Sequence, residues 1–123
     1  MVCDVGCGNG KYLGVNPDLI MIGTDITHNL LKICNERNQN VFRADGLVLP
    51  VKTSSVDYCI SIAVIHHFSN PNLRKKALTE LLRITKPGGK ILVTVWALEQ
   101  NKKFKTADVF VPWNLNKVYH SNN

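Results

Sequence analysis

At 123 residues, 45% of them hydrophobic and 20% charged, the chain has room for one domain with one core, which excludes a core plus a separate substrate domain. No apolar run is long enough to span a bilayer, and Met1-Val2-Cys3-Asp4 carries neither the basic nor the apolar region of a secretory signal. The expectation is therefore a soluble protein of the cytoplasm, the nucleus or both, without a membrane partner. A formal net charge of +6 favours polyanionic partners but does not prove one, since solubility alone accounts for a modest excess.

Cys3, Cys7, Cys34 and Cys59 fall into no CxxC or other metal-ligand spacing, so they read as reduced, mostly buried thiols and no metal site is expected. Apolar runs alternate with amphipathic segments along the chain, the pattern of βαβ units and a parallel sheet buried on both faces. The first strand is the run up to Val5. Gly6-Cys7-Gly8-Asn9-Gly10 then turns the chain into an expected short helix that Gly14 and Asn16-Pro17 end. A second strand runs from Ile20 to Thr24 and stops at Asp25.

Thr27 is placed to cap a helix carrying Leu30, Ile33 and Cys34 on one face. Asn38 to Asn40 closes it before a short third strand, Val41 to Ala44, and the turn Asp45-Gly46. Asp57 to Ile62 reads as a fourth strand. After Ser69-Asn70-Pro71 comes a helix with Leu73, Ala77, Leu78, Leu81 and Leu82 at helical spacing, which Lys86-Pro87-Gly88-Gly89 stops. The fifth strand, Lys90 to Trp96, is β-branched and aromatic, and beyond it the chain turns basic and then aromatic with no further βαβ unit.

In an open parallel sheet the ligand lies across the carboxyl ends of the strands where strand order reverses, so the turn after the first strand is the place to look. A dinucleotide fingerprint would need glycine at position 11, where Lys11 stands; the spacing is G-x-G-x-G led by Asp4, which favours S-adenosylmethionine over NAD. Asp25, at the end of the second strand, is placed to accept hydrogen bonds from both ribose hydroxyls, and Asp45, after the third, to face an adenine amino group. Each aspartate taken alone reads equally as a cap or turn residue. Three acids, each after a strand, together with the glycine turn carry more weight than any one.

Four segments share a resemblance: Asp4-Val-Gly-Cys-Gly-Asn-Gly-Lys-Tyr-Leu13, Ile60-Ser-Ile-Ala-Val-Ile-His-His-Phe68, Val95-Trp-Ala-Leu-Glu-Gln100 and Asp108-Val-Phe-Val-Pro-Trp113. They resemble the tRNA carboxymethyluridine methyltransferases, a family that includes the methyltransferase domain of AlkB homologue eight. The resemblance implies a Rossmann-like class I methyltransferase fold with sheet order 3-2-1-4-5. It implies S-adenosylmethionine as cofactor and methyl transfer to the carboxymethyl group of the wobble uridine, giving a methyl ester.

By the same resemblance Gly6, Cys7 and Gly8 lie against the methionine part of the cofactor, Asp25 on the ribose, Asp45 beside the adenine and Ile62 near the pocket rim. Asp25 is followed by Ile26 where most relatives carry arginine, so ribose-side contacts are expected to differ. His66 is the favoured substrate-side residue, holding the carboxylate by a charge-assisted hydrogen bond; the residues alone leave open His67, or one packed and one solvated ring.

Two basic clusters, Arg74-Lys75-Lys76 and Lys102, Lys103 and Lys105, are candidates for tRNA phosphates or simply solvated charge. Phe110, Pro112 and Trp113 read as a lid over the site or a strap over the core. The whole chain, 1–123, is expected to be a partial domain truncated at both ends, with a core at 1–97 and a basic, aromatic segment at 98–123. Without the closing antiparallel pair of strands, the fifth strand would be an open edge. The third strand is the other edge, where the resemblance implies a small zinc-binding activator subunit. A catalytically silent binding module and a methyltransferase of small molecules or proteins are the competing readings.

Overall fold

The computed structural model describes residues 1–96 and 108–114, with side chains for 1–94 other than His66. Six strands, β1 (Val2–Val5), β2 (Met21–Asp25), β3 (Val41–Arg43), β4 (Val56–Ile62), β5 (Thr85–Trp96) and β6 (Asp108–Asn114), form one sheet in the order β3-β2-β1-β4-β5-β6. The first five pair in parallel, as the alternation of apolar runs predicts. β1 is buried along its whole length because it lies between β2 and β4. Successive connections leave it in opposite directions, so the strand order reverses beside it.

Two helices cover the sheet. In α1 (His28–Glu36) the buried residues are Leu31 and Cys34, which pack with Cys7 and Leu13. Leu30 and Ile33, expected on that face, lie outside it: Ile33 is exposed, and Leu30 borders the cleft described below. Thr27 occupies the cap position but makes no side-chain cap bond. α2 (Pro71–Ile84) is capped by Asn70, whose Oδ1 accepts the Asn72 N–H at 2.8 Å, with proline following it in the first turn. Its inner residues Ala77, Leu81 and Ile84 pack on Cys3, Val5, Cys59, Ile91 and Val93. Side chains alternate along each strand, so these two clusters occupy opposite faces of the sheet.

Three expectations are corrected. Residues 8–14 form turns, with Gly10 N–H on the Cys7 carbonyl and Leu13 N–H on the Gly10 carbonyl, not a short helix. Gly6, Gly8 and Gly10 all take left-handed φ, which a right-handed helix cannot contain. α2 ends at Ile84, before Lys86-Pro87-Gly88-Gly89, where Thr85 caps it by donating its hydroxyl to the Leu81 carbonyl at 2.7 Å and starts β5 at once. Finally, β5 is not an open edge. β6 pairs antiparallel along it from Lys90↔Asn114 to Trp96↔Asp108, and the segment read as lid or strap is a strand. Among the described residues no helix is long and apolar enough to cross a membrane.

Candidate functional site

The site begins where β1 ends. The N–H groups of Gly6 and Cys7 both donate to the Thr24 carbonyl, at 2.7 and 2.9 Å, which fastens the glycine turn to the end of β2. Gly6 has φ +81°, and a Cβ there would run into Val64 Cγ2, so both backbone conformation and packing demand glycine. Asp25 closes the arrangement: Oδ2 accepts the Gly8 N–H at 2.9 Å and Oδ1 the Thr27 N–H at 2.8 Å. Asp45 Oδ1 accepts the Leu47 N–H at 2.9 Å and shapes the turn after β3. Both aspartates are turn residues, and both still have lone pairs for a ligand.

These elements enclose a cleft of about 440 Å³ at the carboxyl ends of β1 to β4. Gly6, Asp25, Asp45 and Ile62 border it together, as the sequence suggests. Cys7 and Gly8 do not: the Cys7 thiol is buried against Leu31 and Cys34, and the Gly8 N–H is taken by Asp25. Burial pushes the Cys7 thiol up to about 12, so it stays protonated and inert. His66 and His67 lie in a short 3-10 turn, Ile65–His67; His67 borders the cleft, while the His66 side chain lies outside the described residues.

The lining the sequence did not reveal is Ala63-Val64. Ala63 has φ +57°, and its N–H meets both the carbonyl and the Oγ1 of Thr94, at 3.1 and 2.9 Å, which holds the strained residue in place. Composition carries no signal for a left-handed alanine. Ile26, which follows Asp25, is exposed on the cleft rim, and Arg43 of β3 donates its Nε–H to the Ile26 carbonyl at 3.0 Å. A guanidinium thus reaches this rim from the neighbouring strand.

Asp4 is the electrostatic anomaly. Its residue is 1% exposed and its Oδ2 has no hydrogen-bond partner among the described residues. Burial, and secondarily the charge of Asp25, raises its carboxyl to about 7. Of the basic clusters, Arg74 is engaged by the Phe68 and Ser69 carbonyls at 2.7 and 3.0 Å, Lys75 and Lys76 are exposed, and Lys102, Lys103 and Lys105 lie outside the described residues.

A parallel sheet in this order, with a glycine turn at the reversal, Asp25 ending β2 and Asp45 just after β3, defines a Rossmann-like domain whose cleft lies across the strand ends. The methyltransferase domain family matches residues 3–93, and the chain belongs to that family. The tRNA (carboxymethyluridine(34)-5-O)-methyltransferase of Arabidopsis thaliana is 55% identical over 100 residues, covering 81% of this chain and 25% of the plant protein, which bears out the resemblance read from the motifs. The chain therefore spans about a quarter of that relative's length.

A solved S-adenosylmethionine-dependent methyltransferase of Thermotoga maritima superposes with TM-score 0.70 at 25% identity, over 98% of this chain and 50% of that one. A chain from the solved complex between the Haloferax volcanii Trm112 methyltransferase activator and a candidate methyltransferase superposes with TM-score 0.68 over 76% of this chain and 44% of that one. At 24% identity this last likeness shows the fold alone.

Proposed function

We propose that the chain is part of an S-adenosylmethionine-dependent enzyme that methylates the carboxymethyl group of the wobble uridine of tRNA. The observation that carries this is the convergence of Gly6, Asp25, Asp45 and Ile62 on one cleft at the sheet's switch point. Identity of 55% to the plant enzyme narrows the substrate. The residues fit the cofactor: two carboxylates with spare lone pairs for the ribose and adenine sides, an apolar wall of Ile26, Leu30 and Ile62, and an orphaned buried carboxylate oxygen in Asp4.

When bound, S-adenosylmethionine supplies an electrophilic methyl group on a sulfonium. Asp25 holds the ribose and the backbone at Gly6 lets the methionine part approach. The cleft walls limit water around the acceptor oxygen. The acceptor carboxylate is already ionised at neutral pH, so no residue of the chain would need to act as a general base. The two-histidine turn then serves to orient the acceptor, holding the carboxylate in line by a hydrogen bond, with His66 the favoured donor and His67 at the cleft the alternative.

A zinc-binding activator subunit paired along the exposed β3 edge, and residence in cytoplasm or nucleus, complete this reading. The edge position of β3 supports the first, and four free, buried cysteines support the second. The test is calorimetric titration of S-adenosylmethionine into the purified chain, alone and with the activator, followed by methylation of hypomodified tRNA with His66→Ala and His67→Ala. Micromolar binding with tRNA esterification supports the proposal. Binding with turnover only of small molecules or proteins removes the tRNA substrate, and a folded chain that binds no cofactor even with activator is a silent module.

A further inference from the structure

Asp4 plays no part in the methyl transfer described above, yet among the described residues it is a carboxyl group that is both buried and short of a hydrogen-bond partner. It lies in β1 between Gly23 of β2 and Ile60 of β4, with its carboxylate oxygen Oδ2 buried and without a hydrogen-bond partner among the described residues. Asp25 of β2 acts on it, and the charge of Asp4 in turn acts on the thiols of Cys3 in β1 itself, Cys59 in β4 and Cys7 in the glycine turn. Asp25 opposes its ionisation, and among the described residues no cation offsets this. Among the described residues nothing stabilises Asp4 as an anion, and a proton is the available remedy.

A permanent positive charge in the cleft, which Asp4's chain neighbours Val5 and Gly6 and its electrostatic neighbour Asp25 border, changes that balance, because in a poorly solvated site a nearby cation favours the ionised carboxylate. We propose that the cleft takes up its cationic methyl donor in exchange for the proton of Asp4, which makes Asp4 the residue that distinguishes the sulfonium of the donor from the neutral thioether of the product. This rests on the cofactor reading above. The proton passes to solvent on binding and returns once methyl transfer has turned the sulfonium into the neutral thioether, so Asp4 itself takes part in no covalent step. Asp4 acts through its field and its protonation, while Asp25, fixed by the Gly8 N–H it accepts, keeps the opposing charge in place.

The measurement is isothermal calorimetry of the wild-type chain near pH 7 in two buffers of different ionisation enthalpy, with S-adenosylmethionine and then S-adenosylhomocysteine as titrant. A group titrating near 7 releases up to about half a proton at that pH when its pKa is driven well down. The expected result is release of that order with S-adenosylmethionine, markedly less with S-adenosylhomocysteine, and none with either for Asp4→Asn. Equal release for the two ligands, no release despite a clear heat of binding, or undiminished release by Asp4→Asn overturns the proposal. The two-ligand comparison on the wild type stands even where the variant fails to fold. A folded chain that binds neither ligand instead removes the cofactor reading, and this inference with it.

Discussion

Asp25 and Gly8 are joined by a single hydrogen bond, the Gly8 N–H on Asp25 Oδ2 at 2.9 Å, that ties the glycine turn after β1 to the end of β2. The other oxygen of the same carboxylate starts the next turn through the Thr27 N–H. The cap reading and the ligand reading of this aspartate are therefore one arrangement: the bonds that make it a turn residue are the ones that fix it at the cleft.

Asp25→Ala should then lose two things at once. The half-buried Gly8 N–H and the exposed Thr27 N–H lose their acceptor, at about 1 to 2 kcal/mol of stability, and S-adenosylmethionine affinity should fall tenfold or more. Asp25→Asn keeps one carbonyl acceptor and should recover most of the stability but not the affinity. Urea denaturation alongside calorimetry separates the two; recovery of both by asparagine would mean that the carboxylate serves the turn alone.

Gly6 tests the packing of the turn against Val64. Gly6→Ala puts an L side chain at φ +81° and a Cβ into Val64, with an expected loss of about 2 to 4 kcal/mol, of which the conformational part is about 1 to 2 kcal/mol. Val64→Ala in the same chain should relieve the steric part and leave the conformational part. A double-mutant cycle by chemical denaturation gives the coupling directly, and additive losses would show that the two residues do not press on each other.

The sheet is legible in the sequence because buried parallel strands write continuous apolar runs, and the acids at Asp25 and Asp45 because each follows such a run. Boundaries move by a residue or two, as at Met21–Asp25, where the aspartate is the last residue of the strand. The glycine turn reads as the start of a helix because the left-handed φ of Gly6, Gly8 and Gly10 is a backbone fact that the run of glycines does not state. β6 escapes the strand pattern because Pro112 and Asn114 weaken it, while an edge position tolerates proline. The left-handed Ala63 and the reach of Arg43 to Ile26 arise from tertiary contacts, and no local spacing encodes them.

The wall that carries Asp45 is held from behind by α2. Arg83 donates to the Leu49 and Val51 carbonyls at 2.9 and 2.8 Å and pairs with Glu80, whose Oε2 accepts the Leu49 N–H at 2.7 Å. Arg83 and the Leu49 N–H hold the Glu80 carboxyl below its usual range. A depressed acid contributes stability above its unfolded pKa, about 4.3, and that stability is lost as pH falls through the lower folded value. Arg83→Ala should cost about 2 kcal/mol at neutral pH, weaken cofactor binding through the loosened Asp45 turn, and flatten the acid limb of the stability profile. An unchanged acid limb would place the pair outside the stability balance.

Asp4 predicts the opposite pH dependence. Its folded carboxyl titrates near 7, above the ordinary value, so the unfolded chain ionises first as pH rises. The sign follows: the stabilisation from a raised acid is complete below the unfolded pKa, falls as pH rises past it, and is lost once pH exceeds the folded value. Asp4→Asn removes the charge and keeps nearly the same volume, so it should be more stable than the wild type by on the order of a few kcal/mol near pH 8, with the difference vanishing near pH 4. Denaturation curves at several pH values decide it. A constant difference across that range would mean that Asp4 is ionised throughout in the folded protein, and would leave it no proton to exchange for a cationic ligand.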